Sequence, residues 1–140
     1  MVRFKKIYVY TDGGSRGNPG PGAVGVLVCD TKGRVLCKKG EYIGETTNNR
    51  AEYTALIKAL EVSKKYCKIE VNCFSDSQLM VRQLNGEYKV KNYYIKKLFT
   101  EVKKLEKNFK KVDYQHVPRE NKQIKIVDRL LNKELDSSGH

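Results

Sequence analysis

Phe4-Lys5-Lys6-Ile7-Tyr8-Val9-Tyr10-Thr11, followed at once by Asp12-Gly13-Gly14, is the stretch that decides the fold. Its first eight residues are rich in β-formers and read as a strand, and Asp-Gly-Gly reads as the break that ends it. Gly17-Asn18-Pro19-Gly20-Pro21-Gly22 continues as a loop. Residues 23–30 then read as a second strand, Thr31-Lys32-Gly33 as a turn and residues 34–43 as a third strand, which makes an antiparallel meander. After Glu45-Thr46-Thr47 the period changes. Ala51, Ala55, Leu56, Ala59, Leu60 and Ser63 fall on one face of a helix.

Downstream, residues 68–74 alternate polar with apolar and read as a fourth strand, ended by Ser75-Asp76-Ser77. A short helix over 78–84 closes at Asn85-Gly86, and a longer one over 92–108 turns Ile95, Leu98, Phe99, Val102 and Leu105 inward. A fifth strand over 112–117 stops at Pro118, and a last helix runs over 124–135. The order β-β-β-α-β-α-α-β-α predicts an α/β domain. Its mixed five-stranded sheet has three antiparallel strands, then parallel ones, flanked by helices. One domain over 1–136 is expected, with 137–140 as a frayed tail.

The chain has 140 residues, with 28 Lys plus Arg against 16 Asp plus Glu, a net charge of +12. That excess favours a polyanion as partner, and nucleic acid is the commonest one. No apolar run approaches the ~20 residues that span a bilayer, so no membrane role is expected. The start, Met1-Val2-Arg3-Phe4-Lys5-Lys6, shows no apolar signal region. Cys29, Cys37, Cys67 and Cys73 contain no C-x-x-C pair. Reduced thiols in a cytoplasmic protein are expected, with neither a zinc site nor a disulfide framework. A monomer is expected.

In so basic a chain the positions of the acids are informative. Asp12 and Asp76 stand at the carboxyl ends of strands one and four, where ligands of open α/β sheets gather. Glu52 lies in the first turn of the first long helix and Asp128 on the last helix. If strands one and four are central neighbours, Asp12 and Asp76 meet. Close carboxylates repel and need cations between them, and hard oxygen donors suit Mg²⁺ or Mn²⁺ rather than zinc. Each acid also has a purely structural reading: Asp12-Gly13 as a turn, Glu52 as capping-box partner of Asn49, Asp76 as a helix cap, Asp128 as a solvated helix residue.

Four ordered motifs resemble those of type 1 ribonucleases H. They are Tyr10-Thr11-Asp12-Gly13-Gly14-Ser15 with the glycine-rich run after it, Thr47-Asn48-Asn49-Arg50-Ala51-Glu52, Ser75-Asp76-Ser77-Gln78, and His116-Val117-Pro118-Arg119-Glu120-Asn121 with Asp128-Arg129-Leu130-Leu131-Asn132. The resemblance implies a ribonuclease H-like fold with Asp12, Glu52, Asp76 and Asp128 as catalytic metal ligands. It implies hydrolysis of the RNA strand of an RNA–DNA hybrid with two Mg²⁺ ions, leaving 3′-hydroxyl and 5′-phosphate ends. Asn18, Asn48 and Gln78 match positions that touch nucleic acid, and Thr47 with the amides of Gly13 and Gly14 is expected at phosphates or sugar hydroxyls.

The last motif departs from the family pattern. Asn121 and Asp128 stand farther apart than usual; the upstream text puts Lys125 at the ligand position, the downstream text Asp128. Asp128 is preferred, because a loop before a helix absorbs insertions. With Lys125 there instead, the chain becomes a catalytically weakened nucleic-acid-binding module. The short connection over 86–92 leaves no room for the family's basic protrusion. The lysine-rich third helix stands either for its phosphate contacts or for a solvated face, and Tyr88, Tyr93 and Tyr94 are expected to pack against the sheet.

Overall fold

The computed structural model describes residues 4–140; Met1, Val2 and Arg3, part of the charged start, lie outside the described residues. Five strands form one sheet: β1 (Phe4–Ser15), β2 (Gly20–Asp30), β3 (Val35–Thr46), β4 (Cys67–Ser75) and β5 (Lys111–His116). Four helices complete the fold: α1 (Asn48–Ser63), α2 (Gln78–Leu84), α3 (Tyr93–Glu106) and α4 (Lys122–Ser137). The element order is the expected one. The strands lie in the order β3-β2-β1-β4-β5, antiparallel from β3 to β1 and parallel from β1 to β5.

Alternation along β1 builds both layers. Ile7 and Val9 join Val26, Val28, Leu56, Leu60 and Val102 in the larger core under α1 and α3. Tyr10 turns the other way, to Leu27, Ile124 and Val127 beneath α4. No helix among the described residues is long and apolar enough to cross a membrane. All four cysteines are free thiols.

The largest departure is at Asp12-Gly13-Gly14. These residues do not end β1, which continues through Asp12↔Gly25, Gly13↔Val24, Gly14↔Ala23 and Ser15↔Gly22. Arg16 N–H donates to Pro21 O at 2.8 Å, so the hairpin turns within four residues and β2 already starts at Gly20. The glycines there provide room rather than a break: a Cβ on Gly13 would lie 2.1 Å from the Ala51 carbonyl oxygen.

The carboxyl end is also better held than expected. Ser138, Gly139 and His140 N–H groups donate to Glu134, Asp136 and Leu135 carbonyls. Arg16 reaches the His140 carbonyl and pairs with Asp136 at 2.7 Å, and the His140 ring stacks on Tyr42. Residues 137–140 thus carry partners that a sequence ending in small polar residues does not announce.

Candidate active site

Register brings the first two acids together. Tyr10 and Phe74 are partners across the parallel β1–β4 pair, their rings stacked 4.9 Å apart. Asp12 follows two residues later within β1, and Asp76 two residues later just past the end of β4. Glu52 arrives from α1. Thr47 caps that helix, its hydroxyl accepting from Arg50 N–H at 3.3 Å, so the cap is Thr47 rather than Asn49. Glu52 is therefore the fifth helical residue, just past the first turn, and instead of reaching back to the cap its Oε1 accepts from Gly13 N–H at 2.9 Å. Likewise Ser77, not Asp76, caps α2. Carboxylate oxygens of Asp12, Glu52 and Asp76 all lie within 4.8 Å of one another.

Asp128 does not belong to that close trio; it lines the same cleft from α4, near enough for its charge to act on Asp12. The helix starts at Lys122, capped by Asn121, two residues before the expected start at 124. The extra residues before Asp128 are thus helical, not loop. Three residues make nearly one turn, so Lys125 and Asp128 share a face, and both line the same cleft. Asp128 lines the cleft beside the trio, with Lys125 one turn upstream on the same face.

The charge state of the trio follows from crowding and burial. Burial pushes the Asp12 carboxyl up to about 8, helped by Asp76 and Asp128 and opposed by the Gly13 amide. Glu52 is raised well above the usual carboxylate range, first by burial and then by Asp12 and Asp76. Burial also raises Asp76, against the positive charge of Arg119. Although the chain carries 28 cations, no ion pair within 4.0 Å reaches Asp12, Glu52, Asp76 or Asp128 among the described residues. An oxygen-only donor set left without a partner in a basic protein fits a divalent cation.

These acids line a cleft of about 510 Å³ together with Gly13, Gly14, Ser15, Arg16, Asn48, Arg119, Lys125 and Asn132. The Gly13 amide, expected at a phosphate, is committed to Glu52. Asn48 Oδ1 accepts from Ser15 N–H at 2.9 Å and from its hydroxyl at 3.2 Å, while Asn18 Oδ1 accepts from Asn48 N–H at 3.0 Å. A backbone N–H can only donate, so both amides turn oxygen inward, and their NH₂ groups make no side-chain hydrogen bond among the described residues. Thr47 spends its oxygen on the cap, and Gln78, exposed at the start of α2, does not line the cleft. Arg119, quoted in the fourth motif without a role, also lines the cleft. Its signal is position: it follows β5, whose carboxyl end lies beside that of β4, the strand that leads into Asp76.

A second hollow of about 210 Å³ lies across α1, lined by Asn49, Tyr53, Ser77, Gln83, Lys89, Lys91 and Asn92 among others. Tyr88, Tyr93 and Tyr94 near it are 48%, 64% and 53% exposed, not packed on the sheet. The buried stripe of α3 is Ile95, Val102 and Leu105, which leaves the first two helical positions outside it. Cations cover these rings instead: Arg50 sits 4.1 Å from the Tyr94 centroid, Lys97 4.6 Å from Tyr93 and Arg82 5.4 Å from Tyr88.

A family model described as reverse transcriptase-like matches residues 10–132. Ribonuclease HI of Halobacterium salinarum is 35% identical over 136 residues, covering 97% of this chain and 67% of that protein. The bifunctional protein Rv2228c of Mycobacterium tuberculosis is 37% identical over 135 residues, but the chain spans only 36% of its length. Among solved structures, RNase H1 of Halobacterium salinarum superposes with a TM-score of 0.89 at 35% identity, covering 94% of this chain and 98% of that one. LC11-RNase H1, solved in complex with an RNA/DNA hybrid, superposes with a TM-score of 0.87 at 42% identity, covering 96% and 99%.

Proposed function

The chain belongs to the type 1 ribonuclease H family, and from that premise we propose that it is an endonuclease hydrolysing the RNA strand of RNA–DNA hybrids. The observation that carries this reading is the convergence of Asp12, Glu52 and Asp76, with Asp128 facing them, in an open cleft of a basic protein. These four acids would hold Mg²⁺, with Mn²⁺ as a substitute. Two such ions, when bound, supply Lewis acidity and charge neutralisation at a phosphodiester. Hydrolysis breaks the P–O3′ bond and leaves 3′-hydroxyl and 5′-phosphate ends.

The rest of the site selects and holds the strands. The outward NH₂ groups of Asn18 and Asn48 are donors suited to 2′-hydroxyls and to minor-groove acceptors, which gives a preference for RNA beside the cleft. Arg119 contributes a fixed positive charge next to Asp76, suited to a phosphate. The first turn of α1 forms a ridge, with Asn48 toward the acidic cleft and Asn49 toward the second hollow. A duplex straddling that ridge sets its cut strand over the carboxylates and its uncut strand over the hollow with its lysines and cation-covered tyrosines. All these groups come from one chain, so a monomer suffices, and free thiols fit a cytoplasmic setting.

The test is an end-labelled RNA annealed to DNA, incubated with Mg²⁺, beside the same sequence as a DNA duplex. Internal cuts in the RNA alone, stopped by EDTA, are expected. An intact RNA strand, or equal cutting of the DNA duplex, overturns the reading.

A further inference from the structure

Two glycines flanking Asp12 have a role that turn statistics do not describe. A Cβ on Gly13 would lie 2.1 Å from the carbonyl oxygen of Ala51, and one on Gly25 would lie 2.2 Å from that of Val127. Neither glycine has a positive φ, so what each supplies is space. The residue after Ala51 is Glu52, and the residue after Val127 is Asp128. Each helix therefore rests its backbone on the sheet through the peptide that leads into its acid. Gly13 follows Asp12 in β1, and Gly25 is the cross-strand partner of Asp12 in β2. Cross-strand partners share a face of the sheet, so Asp12 and the bare Cα of Gly25 both look toward α4.

We infer that Gly25 is a positioning residue for the acid on α4: its missing side chain sets the height of the helix and thereby the reach from Asp128 to Asp12. The inference rests on the hydrolytic reading above. A Cβ contact of 3.0–3.4 Å is already tight, so an added methyl group must gain about 1 Å from a neighbour. That neighbour is backbone inside a helix and cannot rotate aside, so α4 rises. Gly40, the partner of Gly25 on β3, continues the row, with the Leu130 carbonyl 2.8 Å and the yielding Glu134 Cγ 3.0 Å from its Cβ position. A methyl group there displaces the helix less and beyond the acid.

The test is Gly25→Ala in the full chain, alone and with Asp128→Glu, whose extra methylene restores reach. For Gly25→Ala a kcat about 100-fold below wild type is expected, since a misplacement of ~1 Å costs on that order. KM for the hybrid stays within about threefold, and calorimetric Mg²⁺ affinity falls about tenfold. Asp128→Glu lowers kcat in the wild-type background but raises it about tenfold in the Gly25→Ala background, a sign change that a merely destabilised fold does not produce. A kcat within about threefold of wild type, or no recovery by Glu, overturns the inference. Should Gly25→Ala not fold, Gly40→Ala reads the same coupling in milder form. It is expected to show about a threefold loss of kcat relieved by Asp128→Glu, and a loss without relief overturns the inference. If the wild-type chain leaves hybrids uncut, the hydrolytic reading fails, and calorimetry still decides: Mg²⁺ affinity unchanged by Gly25→Ala overturns the positioning role.

Discussion

Asp12→Asn is expected to lower cleavage of the hybrid by at least ~10³-fold while making the metal-free protein more stable at pH 8. The amide has the size of the acid, so the β1–β2 and β1–β4 pairings around it are undisturbed. Glu52 keeps its hydrogen bond from Gly13. What is lost is the central negative charge of the trio, which no neighbouring side chain replaces. What is gained follows from the raised Asp12 carboxyl, held at about 8 by burial, Asp76 and Asp128. A group whose folded pKa exceeds its unfolded value contributes least once pH has risen through the folded value. Removing its charge therefore returns a stability of a few kcal/mol at pH 8. Cleavage assays with urea melts in EDTA check both halves. Cleavage within tenfold of wild type, or a variant less stable than wild type at pH 8, would place the metal centre elsewhere.

The wild-type protein in EDTA is expected to lose stability as pH rises from about 4 to about 8, and Mg²⁺ is expected to offset part of that loss. Asp12, Glu52 and Asp76 are all raised. The folded state therefore holds more protons than the unfolded chain across that window, and stability falls with pH. Asp30, Glu41 and Glu70 are shifted the other way, Asp30 by hydrogen bonds from Arg34 and Lys32 against its burial, Glu41 by Lys58, and Glu70 by Asn72 and Lys6. Their contributions are lost as pH falls below about 4, so the metal-free optimum lies on the acid side of neutrality. Mg²⁺ binds only the folded, ionised site and adds about 2.7 kcal/mol at a hundred times its Kd. Its effect is absent near pH 4 and largest near pH 8. Urea melts across that range, with EDTA or Mg²⁺, read the two slopes; a metal-free stability that rises toward pH 8 contradicts the assignment.

Much of this was legible in the sequence because it is local or rests on a recognisable text. Alternation in Ile7, Val9 and Thr11 announces a two-faced strand, and Ala51, Ala55, Leu56, Ala59 and Leu60 announce the helix face beneath it. Asp12 and Asp76, read as ending strands one and four, already mark the candidate site, although β1 runs on to Ser15. The misreadings share one cause, which is contact with chain far away in sequence. Asp-Gly-Gly has the propensity of a turn, yet Gly13 is extended because it pairs with Val24 on β2, and its missing Cβ leaves room for the Ala51 carbonyl. Asn49 is a good cap by type, but Thr47 has the geometry because Asn48 is held by Ser15 and Asn18. Tyr93 and Tyr94 look like core residues by size, whereas the α3 stripe begins only at Ile95 and Arg50 arrives from α1 to cover Tyr94. Lys125 and Asp128 read as competing alignments, but one helix presents both to the same cleft.

The central claim, that carboxylates from β1, α1 and the end of β4 share divalent cations, is tested most directly by the protons they give up. With Asp12 held at about 8 and Glu52 also raised, the metal-free site carries protons at pH 7 that Mg²⁺ must expel. Calorimetric titration with Mg²⁺ in two buffers of different ionisation enthalpy counts them. The account predicts roughly one proton or more released at pH 7, fewer at pH 9, and a count reduced in Asp12→Asn. Mg²⁺ binding at pH 7 that releases no protons, or no binding at all, would contradict it.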